Sequence, residues 1–87
     1  MHMDTYIVIF ETQTKEPQFR EYLRGMRVWG RITENVYAIK SDKTAVQVRD
    51  DLSSLKATGD RIMVVKSGYI AAWDNARIDA EWLKKNL

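Results

Sequence analysis

The stretch YIVIFET, residues 6–12, decides how the rest of the chain is interpreted. Its first five residues are all apolar. A strand with one face in water instead alternates apolar and polar residues, because successive side chains point to opposite faces. The stretch therefore predicts a strand that is covered on both faces, with Glu11 as an acidic residue at its end.

Two helices are predicted downstream of this strand. Pro17 suits the first turn of a helix, where a missing N–H costs nothing. Apolar residues then follow at offsets of 0, 3, 4 and 7, which predicts a helix over residues 17–24 with a core-facing side of Phe19, Tyr22, Leu23 and Met26. Thr44 and Gln47 have the spacing of a capping box, so a second helix is expected to begin at Thr44. Its predicted core-facing residues are Ala45, Val48, Leu52 and Leu55.

The remaining segments favour strands and a terminal helix. Residues 27–32 and 36–40 are rich in strand-forming side chains and are separated by a polar link of hairpin length. Residues 61–66 predict another strand, after a turn around Gly59. Residues 69–73 then lead to an N-cap at Asp74 or Asn75 and to a helix with Ile78 and Trp82 on its apolar side.

The predicted order is β-α-β-β-α-β-α, which indicates an α+β protein. Its first six elements match the ferredoxin-like βαββαβ sandwich, a four-stranded antiparallel sheet with both helices on one face, here followed by a C-terminal helix. The length of 87 residues suits one domain over residues 3–87. Residues 1–2 are interpreted as a cloning remnant.

The second face of this sheet needs a cover. Residues 36–39 and 62–65, like the first strand, have apolar side chains at both odd and even positions, so both faces of these strands are apolar. A large exposed apolar patch is rare in soluble monomers. Either the C-terminal helix folds across the face or a second subunit packs on it, and the sequence favours a homodimer. The predicted interface consists of Tyr6, Val8, Phe10, Tyr37, Met63, Val65 and Trp73.

The composition excludes several kinds of active site. The chain has no cysteine, and its one histidine, His2, lies in the presumed remnant, so a thiolate nucleophile and the usual zinc sites are excluded. No apolar run approaches the roughly 20 residues that span a bilayer, and no signal peptide is recognisable. We therefore expect a cytoplasmic protein with no membrane partner. The net charge of +2 says little about ligands, so the placement of the charges matters more.

The densest basic stretch points to nucleic acid. Arginine forks match phosphate oxygens, and the predicted binding residues are Arg20, Arg24, Arg27, Arg31 and Lys40. Glu21 and Glu34 interrupt this stretch, so an ordinary solvated helix face with local ion pairs remains the alternative. Trp29 and Tyr37, with Trp73, have the chemistry to stack on bases, although aromatic residues in strands are more often part of a core or an interface.

Two longer stretches carry a family resemblance. WGRITENVYAIKSDKTAVQVRDDL, residues 29–52, and DRIMVVKSGYIAAW, residues 60–73, are similar to the small bacterial proteins of the SinR family. Those proteins in turn resemble the CRISPR-associated Cas-two family and the VapD toxins. The resemblance covers residues 6 to about 83.

The resemblance implies a ferredoxin-like fold, a symmetric dimer and an association with nucleic acid. Cas-two proteins form the central scaffold of the spacer-integration complex, and some of them, like VapD, are metal-dependent nucleases. Their proposed catalytic aspartate stands at the end of the first strand in both subunits. Glu11 occupies the corresponding position here, with a side chain longer by one methylene, and would be both the catalytic residue and the magnesium ligand.

Three functions follow as expectations. The first is a dimeric nucleic-acid-associated scaffold in a bacterial defence setting, binding DNA or RNA beside an integrase-like or defence-system partner, with no cofactor required and no catalysis. The second is a magnesium-dependent endonuclease or ribonuclease that uses Glu11. For Glu11 itself, the alternative is a solvated acid or an ion pair with a neighbouring arginine. The third function is a non-catalytic interaction module of a toxin-antitoxin or defence system.

Overall fold

The computed structural model describes residues 3–68 and 80–86. Strands and helices follow one another in the predicted order: β1 (Asp4–Glu11), α1 (Glu16–Arg24), β2 (Val28–Thr33), β3 (Val36–Ser41), α2 (Ala45–Ser53), β4 (Arg61–Lys66) and α3 (Ala80–Asn86). The sequence-based bounds of α1 and α2 differ from the observed ones by a single residue at their starts. The predicted features at residues 69–79, including the N-cap at Asp74 or Asn75 and the apolar Ile78, lie outside the described residues.

The four strands form one antiparallel sheet in the order β2-β3-β1-β4. The β1 strand lies between β3 and β4. Its register places Val8 between Tyr37 on β3 and Val64 on β4. The protein is therefore an α+β protein, and this strand order is compatible with a ferredoxin-like arrangement.

Local sequence signals explain the ends of the elements. The Thr44 side chain accepts a hydrogen bond from the Gln47 backbone N–H, and the Gln47 side chain accepts one from the Thr44 N–H, so the predicted capping box is confirmed. Pro17 lies in the first turn of α1. Gly59 has a φ of 89°, a conformation that favours glycine, and it makes the turn that leads into β4.

The hydrophobic core lies between the sheet and the helices α1 and α2. We call the covered side, which carries Tyr6, Val8 and Phe10, the helix face. These side chains are buried against the apolar residues of the two helices, namely Phe19, Leu23, Val48 and Leu52. Burying each such side chain contributes about 1.5–3 kcal/mol, so this cluster provides much of the driving force for folding.

The opposite side of the sheet, here called the second face, carries Thr5, Ile7 and Ile9. The Thr5 hydroxyl donates to the backbone carbonyl oxygen of Asn86 at 2.6 Å, so the end of α3 reaches this face at the start of β1. Three apolar side chains of the face are nevertheless exposed: Ile9 by 39%, Met63 by 57% and Val65 by 45%. In the register Ile9 stands opposite Met63, so these two side chains form a continuous apolar surface.

The predicted interface residues separate into two groups. Tyr6, Val8, Phe10 and Tyr37 are buried in the core of a single chain, so another subunit cannot reach them. The strand pattern revealed apolar residues on both parities but not which parity meets the helices. Met63 and Val65 do lie on the second face, and Trp73 lies outside the described residues.

Within residues 3–68 and 80–86, no helix is both long enough and apolar enough to cross a membrane.

Candidate functional site

Three arginines and a tryptophan gather where α1 meets the edge strand β2. Arg20 and Arg24 project from α1, while Trp29 and Arg31 lie on β2. In the register Arg31 stands opposite Tyr37 and Trp29 opposite Ile39, and both partners are core residues, so Trp29 and Arg31 lie on the helix face. We call these four residues the arginine surface.

The turn between β2 and β3 joins two of these arginines. The Nη2 groups of Arg20 and Arg31 both donate to the Glu34 carbonyl oxygen, each at 3.4 Å. Arg31 Nη2 also lies 3.6 Å from the Glu34 carboxylate, and Arg20 forms an ion pair with Glu16 one turn earlier in α1. Both arginines are thus held in position, and acidic neighbours offset part of their charge.

Arg24 and Trp29 form the more open half of the surface. The Arg24 guanidinium lies 5.5 Å from the centroid of the Trp29 ring, a cation–π distance. The inner neighbour of Trp29 is Tyr37, at a centroid distance of 6.1 Å. Because Trp29 is 37% exposed, part of its ring remains accessible to a ligand.

The other predicted nucleic-acid-binding residues are placed differently. Arg27 is exposed in the turn that precedes β2, next to the arginine surface in sequence. Across the described part of the chain, neither Arg24 nor Arg27 has an acidic partner within ion-pair distance. Lys40 pairs in register with Thr5 and Val28 and points to the second face, so the structure does not bring it together with the arginine surface.

Three polar atoms at the base of this surface are buried. They are Arg20 Nε, Arg31 Nε and the Tyr37 hydroxyl oxygen, and none has a hydrogen-bond partner among the residues that the structure describes. Sequence reasoning did not find this feature. The sequence did contain part of the signal. A tyrosine and an arginine that face each other on neighbouring strands, as Tyr37 and Arg31 do, bring a phenol close to a guanidinium.

Glu11 lies at the rim of a different feature, an open cleft of about 600 Å³ at the ends of β1 and of the turn before β4. Glu11 and Arg61 are both exposed and stand opposite each other in the register, with 3.5 Å between Glu11 Oε1 and Arg61 Nη1. This contact is the ion pair that was the alternative interpretation of Glu11. Asp60 accepts hydrogen bonds from the Thr12 hydroxyl at 2.8 Å and the Ala57 N–H at 2.9 Å, so it fixes the turn.

The described residues contain no group of three or more His, Cys, Asp or Glu side chains that could hold a metal ion. Glu11 and Asp60 both line the cleft, and the two hydrogen bonds that Asp60 accepts both end on its Oδ2 atom.

A third polar cluster was not foreseen. Asp51 Oδ2 accepts hydrogen bonds from the Tyr22 hydroxyl at 2.6 Å and from Lys43 Nζ at 2.5 Å. The hydrogen bond from Lys43, followed by that from Tyr22, lowers the pKa of the Asp51 carboxyl, while burial and the bond to Asp51 raise the pKa of the Tyr22 phenol. The sequence predicted Tyr22 as a core residue and Asp51 as surface charge. Their pairing depends on how α1 and α2 pack.

Comparisons of this chain with family models, with curated proteins and with solved structures find no match. The resemblance to SinR and Cas-two proteins therefore stays a prediction.

Proposed function

We propose that the protein is a ferredoxin-like, dimeric, nucleic-acid-associated scaffold that binds the phosphate backbone through its arginine surface. The observation that carries this proposal is the combination of Arg24 and Trp29. An arginine without an acidic partner in the described residues lies over a tryptophan that is still accessible. Positive charge and an aromatic ring are the two components of single-strand binding.

The arrangement of the charges supports the same ligand. Glu16 and Glu34 lie beside Arg20 and Arg31, whereas Arg24 and the neighbouring Arg27 have no acidic partner within residues 3–68 and 80–86. The net positive charge therefore concentrates at the Arg24 end of the surface. A polyanion with regularly spaced phosphates contacts several such arginines at once and releases counterions in proportion.

Dimerisation is part of the proposal because of the second face. Ile9, Met63 and Val65 remain exposed although α3 reaches the face at Thr5. A second copy related by a two-fold axis would cover each apolar surface with the same surface of its partner. Such a dimer presents the arginine surface twice, which suits a scaffold that holds one nucleic acid at two points.

A titration of labelled single-stranded and double-stranded oligonucleotides, followed by fluorescence anisotropy, tests the proposal. We expect binding at low salt that weakens steeply as the salt concentration rises, and tighter binding of the single strand because Trp29 stacks on unpaired bases. Arg24→Gln should weaken binding. The matched control is Arg49→Gln, because Arg49 is an exposed arginine of α2 that pairs with Asp50 away from the arginine surface. No binding at low salt would contradict the proposal.

A further inference from the structure

The open cleft at the ends of β1 and of the turn before β4 has polar side chains that the fold leaves unused. Its volume of about 600 Å³ lies within the range of small-molecule sites. Four of its side chains form no hydrogen bond with residues 3–68 and 80–86, namely those of Gln13, Thr14, Asn35 and Thr58. Each of these groups both donates and accepts hydrogen bonds. The cleft therefore suits a ligand that does the same.

Glu11 and Arg61 form a charged pair in this cleft. They stand opposite each other on β1 and β4, and their side chains are 68% and 79% exposed. The 3.5 Å between Glu11 Oε1 and Arg61 Nη1 exceeds the usual range of an N–H···O bond, so the ion pair is weak and both groups remain accessible. A carboxylate has about four acceptor sites and a guanidinium has five donors, and this contact uses few of them.

The lining of the cleft narrows the class of ligand. None of the described residues that line it is aromatic, so a planar base has no ring to stack on. Glu11 and Asp60 disfavour an anion such as a phosphate, and Arg61 disfavours a second cation. A neutral ligand rich in hydroxyl groups satisfies this mixture of donors and acceptors, because each hydroxyl both donates and accepts.

We propose that Glu11 and Arg61 bind the vicinal diol of a ribose in this cleft. Two neighbouring hydroxyls donate to the Glu11 carboxylate, and the Arg61 guanidinium donates to the oxygen atoms of the same hydroxyls. An acidic side chain binds the ribose of a dinucleotide in a similar way. The side chains of Asn35 and Thr58 provide hydrogen bonds to the rest of the sugar.

The position of the cleft connects it with the arginine surface. Asn35 lines the cleft, and the residue before it, Glu34, accepts hydrogen bonds from Arg20 and Arg31 through its carbonyl oxygen. An RNA strand with a free 3′ end has a vicinal diol only at its terminal ribose, because the 3′ oxygen of every other nucleotide is esterified. The RNA end is thus one source of the diol, and this source rests on the proposed function. A free nucleoside is the other source.

Two RNA strands of one sequence test the first source, one ending in a 3′-terminal ribose and the other in a 2′-deoxyribose. In anisotropy titrations we expect the diol strand to bind at least about fivefold more tightly, as a net hydrogen bond to a charged group gives. Glu11→Ala should reduce this preference to about one. The readout is the ratio of the two affinities, because loss of a negative charge strengthens the binding of both strands. Glu21→Ala, which removes an exposed acid of α1 outside the cleft, is the matched control and should leave the ratio unchanged.

Free nucleosides test the second source. Adenosine should shift the N–H resonances of Asn35, Thr58 and Gly59, which line the cleft, in a ¹H–¹⁵N correlation spectrum. At the same concentration 2′-deoxyadenosine should shift them much less, because it lacks the diol. The shifts should be lost in Glu11→Ala and retained in Glu21→Ala.

The outcomes separate the two sources and the two proposals. A preference in the strands alone would assign the site to the RNA end, and shifts with adenosine alone would assign it to a free nucleoside. Equal strand affinities together with equal or absent nucleoside shifts would overturn the diol site and, where the strands bind, leave the proposed function standing. A preference that persists in Glu11→Ala would overturn the assignment to Glu11 and Arg61. Shifts with adenosine but no binding of any strand at low salt would overturn the proposed function and leave the diol site standing.

Discussion

Asp51 connects three parts of the helical layer through one carboxylate oxygen. Tyr22 reaches it from α1 and Lys43 from the loop before α2, while the backbone carbonyl of Lys43 accepts a hydrogen bond from the Tyr6 hydroxyl at 2.8 Å. This loop is thereby tied to the central strand and to both helices. The hydrogen bond from Tyr22 links α1, which carries Arg20 and Arg24, to α2.

Replacing Asp51 should change how stability depends on pH. The pKa of Asp51 is lower in the folded chain than its ordinary value of 3.8, mainly because of the hydrogen bond from Lys43. Its charge therefore stabilises the fold above that value, and this stabilisation is lost as the pH falls below 3.8 through the lowered pKa. Asp51→Asn should reduce the free energy of unfolding at neutral pH by about 1 kcal/mol, since the cluster is partly exposed.

Urea unfolding of both proteins from neutral pH down to about pH 3 measures this effect. The difference between wild type and Asp51→Asn should shrink as the solution becomes acidic. A difference that does not vary with pH would show that the carboxylate charge has no part in the stabilisation.

The capping box at the start of α2 is expected to contribute to the stability of the fold. Thr44 and Gln47 satisfy each other's backbone N–H groups at its start. Thr44→Ala removes the side-chain acceptor and should lower the free energy of unfolding by about 1 kcal/mol. Thr44→Ser, which retains the hydroxyl, is the matched control, and urea unfolding is the measurement. Equal losses in the two variants would exclude the cap as the cause.

Much of the element level was predictable from the sequence, because its signals are local. The helical spacing of Phe19 and Leu23, the cap at Thr44 and the glycine turn at Gly59 each depend on neighbouring residues. The face of each strand was not predictable in the same way. Apolar residues on both parities of β1 leave two orientations, and only the packing of the helices shows that Val8 points inward.

The candidate site was predictable only in part. The arginines were identified by their density, but the proximity of Arg20 and Arg31 depends on the edge position of β2 beside α1. Lys40 was grouped with them because it is near in sequence. Its position in β3, opposite Thr5, places it on the second face. Long-range geometry of this kind has no local signal.

At the scale of the whole molecule, the proposed dimer depends on the second face. Met63→Glu places a charge in the centre of the proposed contact between two copies, where burial of an unpaired carboxylate is costly. We expect this variant to be monomeric under conditions in which the wild type is dimeric. Sedimentation velocity provides the measurement.

Val46→Glu is the control for this prediction. Val46 is also an exposed apolar residue, but it lies on α2, on the other side of the sheet. It should leave the dimer intact. A wild-type protein that sediments as a monomer at every concentration tested would contradict the dimer.

The most direct test of the central claim is the salt dependence of nucleic-acid binding. For a single strand, the slope of log K against log salt changes by about 0.7 for each phosphate contact. We predict that Arg24→Gln reduces the steepness of this slope by about that amount, and that Arg20→Gln together with Arg24→Gln reduces it by about twice as much. Arg49→Gln should leave the slope unchanged. Equal slopes for the wild type and the Arg20 and Arg24 variants would show that the arginine surface does not bind the backbone.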